Sequence, residues 1–305
     1  ASSGFRTVKM PIASLVFQHW QVPHEHECSL FCRANSLDVV NSFHTSICQA
    51  LLEHRHDTAL DALCNIDYSI YRHGVVHGAE VQNQGYAPTC FAHSIGTCVH
   101  LAMSRVVGRD NGVPPFESVK ERILDDYGRD CGQDTAKLLK ELEKEYEDEK
   151  GEKKQGKYED YRLHSREVNE IEARHALNRH RPVIATFRLT TVDGVFDEWD
   201  AFSKFFTTAS TRQQAASRAD IQVLPPNVEG GRLGGHAVVL VAATPRYLEF
   251  LNSWGPKWGD NGRFRITDAS VLHKLRFHDV FWYESDLSSQ EKSAYRAHRK
   301  AIAAG

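Results

Sequence analysis

Two short sequence blocks, far apart in the chain, hold the reactive groups that most constrain how it can fold. The first block contains Gln84 and Cys90, and the second runs from His236 to Asn252, with His236 lying 146 positions after Cys90. Acyl transfer through a thiolate needs a cysteine nucleophile, a histidine that moves its proton and a third group that orients the histidine. A fold that uses these residues must bring both blocks to one place.

The spacing within the second block predicts that His236 and Asn252 meet. Residues 237–242 and 247–251 have the pattern of two strands, and Thr244-Pro245-Arg246 between them is typical of a turn. A hairpin centred near Thr244 places His236 directly opposite Asn252, with their Cβ atoms about 4.5–5.5 Å apart. The Asn252 oxygen then accepts a hydrogen bond from the imidazole and fixes its tautomer. A register slip of one residue would send the two side chains to opposite faces.

Cys90 is predicted to lie in the first turn of a buried helix. The apolar positions that follow it have helical spacing, Thr89 is a candidate cap and Gly108 a candidate end. A helix N-terminus favours an anion, and a nearby protonated His236 would lower the thiol pKa further and form an ion pair. The amide of Gln84, six residues earlier, is a candidate donor to the oxyanion.

A single cysteine in an apolar segment is usually a small buried hydrophobic residue. This interpretation suits Cys48, Cys64 and Cys98. For Cys90 it is less favoured, because one chain supplies a nucleophile, a base, an orienting amide and an oxyanion donor together.

Composition narrows the possible functions. The chain has 305 residues, of which 41% are hydrophobic, and a net charge of -3, which argues against nucleic-acid binding. No apolar run approaches the roughly 18 residues that a membrane helix needs. The seven cysteines are an odd number, which favours a reducing compartment such as the cytoplasm or an organelle over a disulfide scaffold. A lysosomal or secreted location stays open.

The order of predicted elements indicates an α+β protein. Helices are predicted over 39–64, 137–151 and 166–180, the second of them exposed within a charged insertion at 137–162. A strand is predicted over 182–190, a loop-rich stretch over 191–230 and further strands from 236 to 283. Ser288 and Glu291 have the spacing of a capping box that opens a polar helix to about residue 303.

The two blocks resemble the papain family of cysteine peptidases. The first block matches at Asn83-Gln84-Gly85 and at Cys90 followed by Phe91. The second matches through the run from Asn252 to Gly262, which reads Asn-Ser-Trp-Gly-Pro-Lys-Trp-Gly-Asp-Asn-Gly. The separation of Cys90 and His236 falls within the roughly 130–150 residues typical of that family. The resemblance spans about residues 66–285 and is strong only in the two blocks.

The resemblance implies a function and a role for each residue. Cys90 would be the nucleophile, His236 the general base and then acid, Asn252 its orienting partner and Gln84 an oxyanion donor beside the Cys90 backbone N–H. Three further residues would surround the substrate: Trp254 over the His236–Asn252 hydrogen bond, Trp258 on the leaving-group side, and Gly235. The implied fold has a helical lobe carrying the nucleophile and a β-rich lobe carrying the histidine. The implied substrate is extended polypeptide, with no metal and no cofactor.

The resemblance also divides the chain and exposes departures from the family pattern. Residues 1–65 would be an accessory or pro-like segment, 66–286 the peptidase domain and 287–305 a C-terminal helix. The first block has Ala87, Pro88 and Thr89 where the family usually has Cys, Gly and Ser or Ala. The family's glycine-rich substrate loop is degenerate here, at Cys131-Gly132-Gln133-Asp134.

Two alternative functions stay open. The degenerate loop and the added segments favour a retired peptidase fold that serves as a scaffold or subunit, and the same acyl-enzyme chemistry with a different acceptor would give a ligase or transamidase. A protein partner could bind through residues 1–65 or through the charged insertion. A separate cluster, His24, His26, Cys28 and Cys32, contains zinc-ligand residue types, although its spacing is not that of a standard finger.

Overall fold

The structure is a computed structural model that describes residues 81–179, 181–192, 196–221, 231–244 and 246–304. The predictions on residues 1–65 lie outside this range. They comprise the helix at 39–64, the accessory segment, the candidate zinc cluster, and buried positions for Cys48 and Cys64. The described residues therefore include the first block and, except for residue 245, the second block.

The described residues form helices first and strands mostly later. The helices are α1 (Cys90–Met103), α2 (Phe116–Tyr127), α3 (Thr135–Lys140), α4 (Glu170–Asn178), α5 (Glu198–Thr207) and α6 (Ser289–Ala304). The strands are β1 (Glu145–Glu147), β2 (Lys153–Gln155), β3 (His164–Val168), β4 (Val183–Val192), β5 (Phe196–Asp197), β6 (Ala215–Ala216), β7 (Gly231–Ala243), β8 (Leu248–Leu251), β9 (Arg263–Ile266) and β10 (His273–Phe281). None of the described helices is both long and apolar enough to cross a membrane.

One large sheet organises these elements. Its strand order is β3-β10-β4-β7-β8-β9-β6, with β5 paired to β4. Neighbouring strands run antiparallel except β6 and β9, which are parallel. A mostly antiparallel sheet combined with six α-helices in the described part of the chain, only two of them between strands of the large sheet, confirms the predicted α+β class.

The sheet separates two hydrophobic cores, because successive side chains of a strand point to opposite faces. On β4 and β7, Val183, Ala185 and Val238 join a core rich in aromatic residues that also contains Phe202 and Phe206 of α5. Ile184 and Val239, the alternate positions, join the core formed with α1, α2 and α3. The helix that carries Cys90 therefore packs on one face of the strand that carries His236.

The charged insertion does not form the predicted helix. α3 ends at Lys140, and β1 and β2 pair as a hairpin in which Glu147 lies opposite Lys153. A helix continued through this stretch would place Glu141, Glu145 and Glu149 four residues apart on one face, where like charges repel. The hairpin instead brings acidic residues next to basic ones.

Three other predicted boundaries are wrong for local reasons. Residues 166–168, predicted as the start of a helix, belong to β3, which pairs with β10, and the helix begins after Asn169, whose side chain accepts from the Glu172 N–H at 2.9 Å. The loop-rich stretch contains α5, capped by Asp197. The helix after Cys90 ends at Met103, before Gly108.

The C-terminal helix α6 begins with the predicted capping box and is fastened to the rest of the fold by its third residue. Glu291 accepts from the Ser288 N–H at 2.8 Å, and its own N–H donates to the Ser288 hydroxyl at 3.2 Å. Both Glu291 oxygens also accept from Arg162, at 2.9 and 2.7 Å, and one accepts from the Asp110 N–H at 3.0 Å. Glu291 is fully buried, so α6 is tied to two other segments through one carboxylate.

Candidate active site

The two sequence blocks are hydrogen-bonded to each other through their backbones. The Gln84 N–H donates to the Ser253 carbonyl at 2.8 Å, and the Gly255 N–H donates to the Gln82 carbonyl at 2.8 Å. Asn83 and Trp254 form an antiparallel bridge between these bonds. The Ser253 hydroxyl also donates to the Gln84 side-chain oxygen at 2.5 Å. The segment just before Cys90 is therefore fixed beside Asn252.

His236 and Asn252 make the expected hydrogen bond, with 2.8 Å between Nε2 and Oδ1. The predicted register, however, is wrong by two positions, because Val239 pairs with Leu251 and Leu240 with Phe250. The turn is centred later than Thr244, whose N–H donates to the Tyr247 carbonyl at 2.9 Å. A shift of two residues preserves the face of the strand, so the two side chains still meet diagonally.

The surroundings of Asn252 determine which nitrogen of His236 carries the proton. Asn252 Oδ1 also accepts from the Ser253 N–H at 2.9 Å, which identifies it as the amide oxygen. An amide oxygen only accepts, so His236 Nε2 must be the donor. In the neutral ring, Nδ1 is then unprotonated and available as a base.

Three aromatic rings surround the His236 imidazole. Trp254 is tilted against it with ring centroids 4.9 Å apart, and Trp199 and Phe187 meet it edge-on at 5.9 and 5.6 Å. The backbone at Gly234 allows this packing, because a Cβ there would lie 2.9 Å from the Trp199 indole nitrogen. His236 is consequently only 6% exposed, and its hydrogen bond to Asn252 is shielded from water.

Two glycines of the second block are required by the backbone that holds Asn252. Gly262 has φ +79 and accepts from the Asn252 N–H at 2.8 Å. A Cβ on Gly262 would lie 2.2 Å from Val81, and one on Gly259, which has φ +60, would lie 2.3 Å from the Arg263 carbonyl oxygen. These positions admit glycine alone without rearrangement, which gives a physical reason for that part of the motif.

Cys90 is the first residue of α1, as predicted, and lies against the strand that carries His236. The backbone N–H of Ala237, the residue after His236, reaches the Cys90 sulfur, as do the N–H groups of Phe91 and Cys90 itself. Burial raises the pKa of the thiol, and these three donors oppose the rise. Thr89 precedes the helix, but within the described residues its side chain makes no capping hydrogen bond.

Burial also acts on His236. It lowers the pKa of the imidazole to about 4, and the hydrogen bond to Asn252 opposes the shift. A raised thiol pKa and a lowered imidazole pKa both favour a neutral pair at rest. They oppose the thiolate–imidazolium pair that the sequence predicts, because the helix dipole and the N–H donors do not offset the cost of burying two charges.

Both the oxygen and the nitrogen of the Gln84 side-chain amide make hydrogen bonds. Its oxygen accepts from Ser253, and its Nε2 donates to the Ala87 carbonyl at 2.8 Å. The amide NH2 has two hydrogens, so one remains after the bond to Ala87. Gly85, with φ +60, turns the chain between Gln84 and Cys90.

The predicted substrate residues fall in different environments. Trp254 is partly buried beside His236, and a Cβ on exposed Gly235 would meet nothing within 4 Å among the described atoms. Trp258 is 9% exposed and packs among Trp254, Phe202 and Phe264, so it belongs to the aromatic core and not to a substrate surface.

The degenerate glycine loop serves as a helix cap. Asp134 accepts from the N–H groups of Ala136 and Lys137, at 2.9 and 3.3 Å, and so opens α3. Gln133 donates to the Tyr127 carbonyl at 3.1 Å. Cys131 and Gly132 are exposed. Cys98 is fully buried, as predicted for a small hydrophobic residue.

Sequence reasoning missed Trp199, Phe187 and His93. Trp199 lies in a stretch predicted as loop, although Asp197 followed by phenylalanines at 202, 205 and 206 is the signal of a capped amphipathic helix. Phe187 lies within the strand predicted over 182–190, and its contact with His236 has no local sequence signal. His93 lies one helical turn after Cys90, is 6% exposed and lines a small cavity with Asn252. No sequence signal distinguishes it from a surface histidine.

The structure is similar to solved cysteine proteases. Xylellain, a cysteine protease from Xylella fastidiosa, is 16% identical, with 67% of this chain and 83% of that chain covered and a TM-score of 0.42. The Carica candamarcensis cysteine protease CMS1MS2, solved in complex with E-64, is 17% identical, with 72% and 99% covered and a TM-score of 0.43. The bromelain protease from Ananas comosus, in complex with the E64 inhibitor, is 14% identical, with 72% and 99% covered and a TM-score of 0.39.

No family model matches the chain. None of the curated proteins matches it either. At such low identities and TM-scores, the role of each residue rests on the contacts within this chain.

Proposed function

We propose that this protein is a cysteine peptidase in which Cys90 attacks a peptide carbonyl and His236 moves the proton. The observation that carries the proposal is the shielded 2.8 Å bond from His236 Nε2 to Asn252 Oδ1. That bond leaves Nδ1 as a free base, on a residue whose neighbour Ala237 touches the Cys90 sulfur. A buried histidine serving only packing would not require a thiol beside it and an acceptor-only partner behind it.

The proposed reaction follows from these positions. His236 Nδ1 takes the proton of the Cys90 thiol as the sulfur bonds to the carbonyl carbon, whose oxygen becomes an anion. The remaining hydrogen of the Gln84 amide and the Cys90 backbone N–H are the candidate donors to that oxygen. The C–N bond then breaks, and the imidazolium gives its proton to the leaving amine. Water attacks the thioester next, loses a proton to His236, and releases the acid and the thiol.

Proton transfer within the site accounts for the neutral resting pair. The charges form only when thiol and imidazole exchange a proton, and the pair titrates as a unit. Trp254 and Trp199 keep water from the His236–Asn252 bond, so the orientation of the base does not depend on solvent.

The acid limb of peptide hydrolysis is expected near pH 4. The folded-state pKa of His236 is lowered to about 4, so the imidazole is protonated and inactive below that value and neutral above it. The measurement is kcat/KM against pH at constant ionic strength. An acid limb near the ordinary histidine value of about 6.5 would show that His236 is solvated and would contradict the described site.

Alkylation provides the direct test of the proposed function. At pH 6, a peptide-like thiol electrophile is expected to modify Cys90 about 100-fold faster than exposed Cys131, measured by peptide mapping. Burial alone raises the thiol pKa and would make Cys90 the slower of the two. Faster alkylation of Cys90 than of Cys131 would therefore indicate that a base takes the Cys90 proton. His236→Phe should remove this difference by slowing the alkylation of Cys90, and the alkylation rate of Cys131 should not change.

The same preparation tests the reaction itself. Incubation with an unfolded polypeptide should release new amino termini, detected by mass spectrometry, and pre-alkylated protein should release none. Products joined to an added amine would identify a transamidase. Equal alkylation of Cys90 and Cys131, together with no cleavage, would reject the peptidase and leave the scaffold interpretation.

A further inference from the structure

A small cavity with both polar and apolar walls lies beside Asn252, and Val239 and Leu251 form part of its apolar wall. His93, Ser94 and Thr97 of α1 line it, together with Asn252 and Ser253 of the second block. It leaves about 10 Å³ for the centre of a water-sized sphere. One buried water needs roughly 10–15 Å³ measured in that way, together with two to four polar partners.

Two residues that line this cavity each carry a buried nitrogen atom without a hydrogen-bond partner among the described residues. Asn252 Nδ2 and His93 Nδ1 are buried, and within the described part of the chain neither has a hydrogen-bond partner. Asn252 is 2% exposed and His93 6% exposed. An unsatisfied buried polar group typically costs about 1–3 kcal/mol, so two on residues that line one cavity are not expected to stay unpaired.

The two nitrogens are complementary to a single water molecule. Asn252 Oδ1 accepts from both His236 and Ser253, so Nδ2 is a donor and needs an acceptor. Burial and the nearby Lys120 lower the pKa of His93 to about 4, so its ring is neutral near pH 7. With the proton on Nε2, His93 Nδ1 is an acceptor and needs a donor. A water accepts from one and donates to the other.

We propose that this cavity holds one ordered water bridging Asn252 Nδ2 and His93 Nδ1, and that His93 is thereby a positioning residue for Asn252. The cavity and the two unpartnered nitrogens are features of the structure, and the water is inferred from them. The positioning role rests on the proposed function, because its consequence is the orientation of His236. Ser94 and Thr97 also line the cavity, and their hydroxyls are candidate further partners for the water.

The first test is a high-resolution crystal structure of the wild-type protein near pH 7. We expect one full-occupancy solvent peak within roughly 2.7–3.2 Å of both nitrogens. An empty cavity, or direct contact between the two side chains, would overturn the proposal. This test does not depend on catalysis or on the folding of a variant.

The second test is a pair of substitutions at His93. His93→Phe keeps the ring and removes the acceptor, and it should lower kcat and the Cys90 alkylation rate about 10-fold with KM unchanged. His93→Asn places an acceptor near the Nδ1 position and should recover most of the loss. His278→Phe is the matched control, since His278 is also a buried histidine with an unpartnered ring nitrogen among the described residues, outside this cavity.

The outcomes separate this inference from the proposed function. A bound water with unchanged kcat and alkylation in His93→Phe would overturn the positioning role. Equal losses in His93→Phe and His278→Phe would do the same, because they would report general destabilisation. If the wild type cleaves no peptide and Cys90 is unreactive, the proposed function fails, whereas the solvent peak still decides whether the cavity binds water.

Discussion

Replacing Cys90 by alanine is expected to lower kcat/KM for peptide hydrolysis by about 10⁴- to 10⁶-fold. The substitution removes the atom that would form the acyl intermediate in the proposed reaction. Folding should be little affected, since the thiol is small and partly buried. The measurement is hydrolysis of an unfolded polypeptide, with thermal unfolding run in parallel.

Cys98→Ala is the matched control for this variant. Cys98 lies on the same helix, eight residues further on, and is fully buried in the core. It should retain activity close to that of the wild type while losing more stability than Cys90→Ala. Activity in Cys90→Ala within 10-fold of the wild type would place the chemistry elsewhere, since loss of a nucleophile never has so small an effect. If the wild type and both variants are inactive, the result would favour the interpretation of the protein as a scaffold without peptidase activity.

Glu291→Gln is expected to lower the free energy of unfolding by about 3 kcal/mol at pH 7. Its neighbours lower the pKa of the Glu291 carboxyl to about 2, chiefly through the Arg162 hydrogen bonds and the Ser288 and Asp110 N–H groups, against the cost of burial. A shift of that size from the ordinary value of about 4.3 corresponds to roughly 3 kcal/mol. The measurement is urea unfolding of both proteins.

The pH dependence of this loss has a definite sign. Because the folded pKa is lowered, the contribution of Glu291 is fully present above about pH 4.5 and disappears as the pH falls toward 2. Wild type and variant should therefore converge in acid. Glu284→Gln is the control, because Glu284 pairs with Arg296 at 2.8 Å on the surface, and it should cost less than about 1 kcal/mol. Equal losses at the two sites would show that α6 is not held by the buried pair.

The positions of the candidate site residues could be predicted from sequence because each is defined by local chemistry. Cys90 follows a turn and opens an apolar helix. His236 lies within β7 and Asn252 directly follows β8, and the alternation of side chains along these strands survives a two-residue error in register. Strand β4 could also be predicted from its run of β-branched residues, and the start of α6 from its capping box.

The rest depends on contacts between distant segments. The aromatic cage of His236 uses Trp199, some 37 positions away in sequence and in a stretch that resembles loop. The resting charge of Cys90 and His236 depends on burial, which residue identity does not report. The charged insertion has no apolar periodicity that would favour a helix over a hairpin. In the hairpin that forms, Glu147 lies opposite Lys153.

The backbone bonds between residues 82–84 and 253–255 have a consequence for biosynthesis. The loop before Cys90 acquires its hydrogen-bond partners only after Ser253 and Gly255 have left the ribosome. At about 5–20 residues per second, that moment comes roughly 10–30 s after Cys90 is made. During that interval Cys90 lacks its contacts with the strand that carries His236. Under the proposed function, peptide cleavage would therefore begin only after the second block has been made.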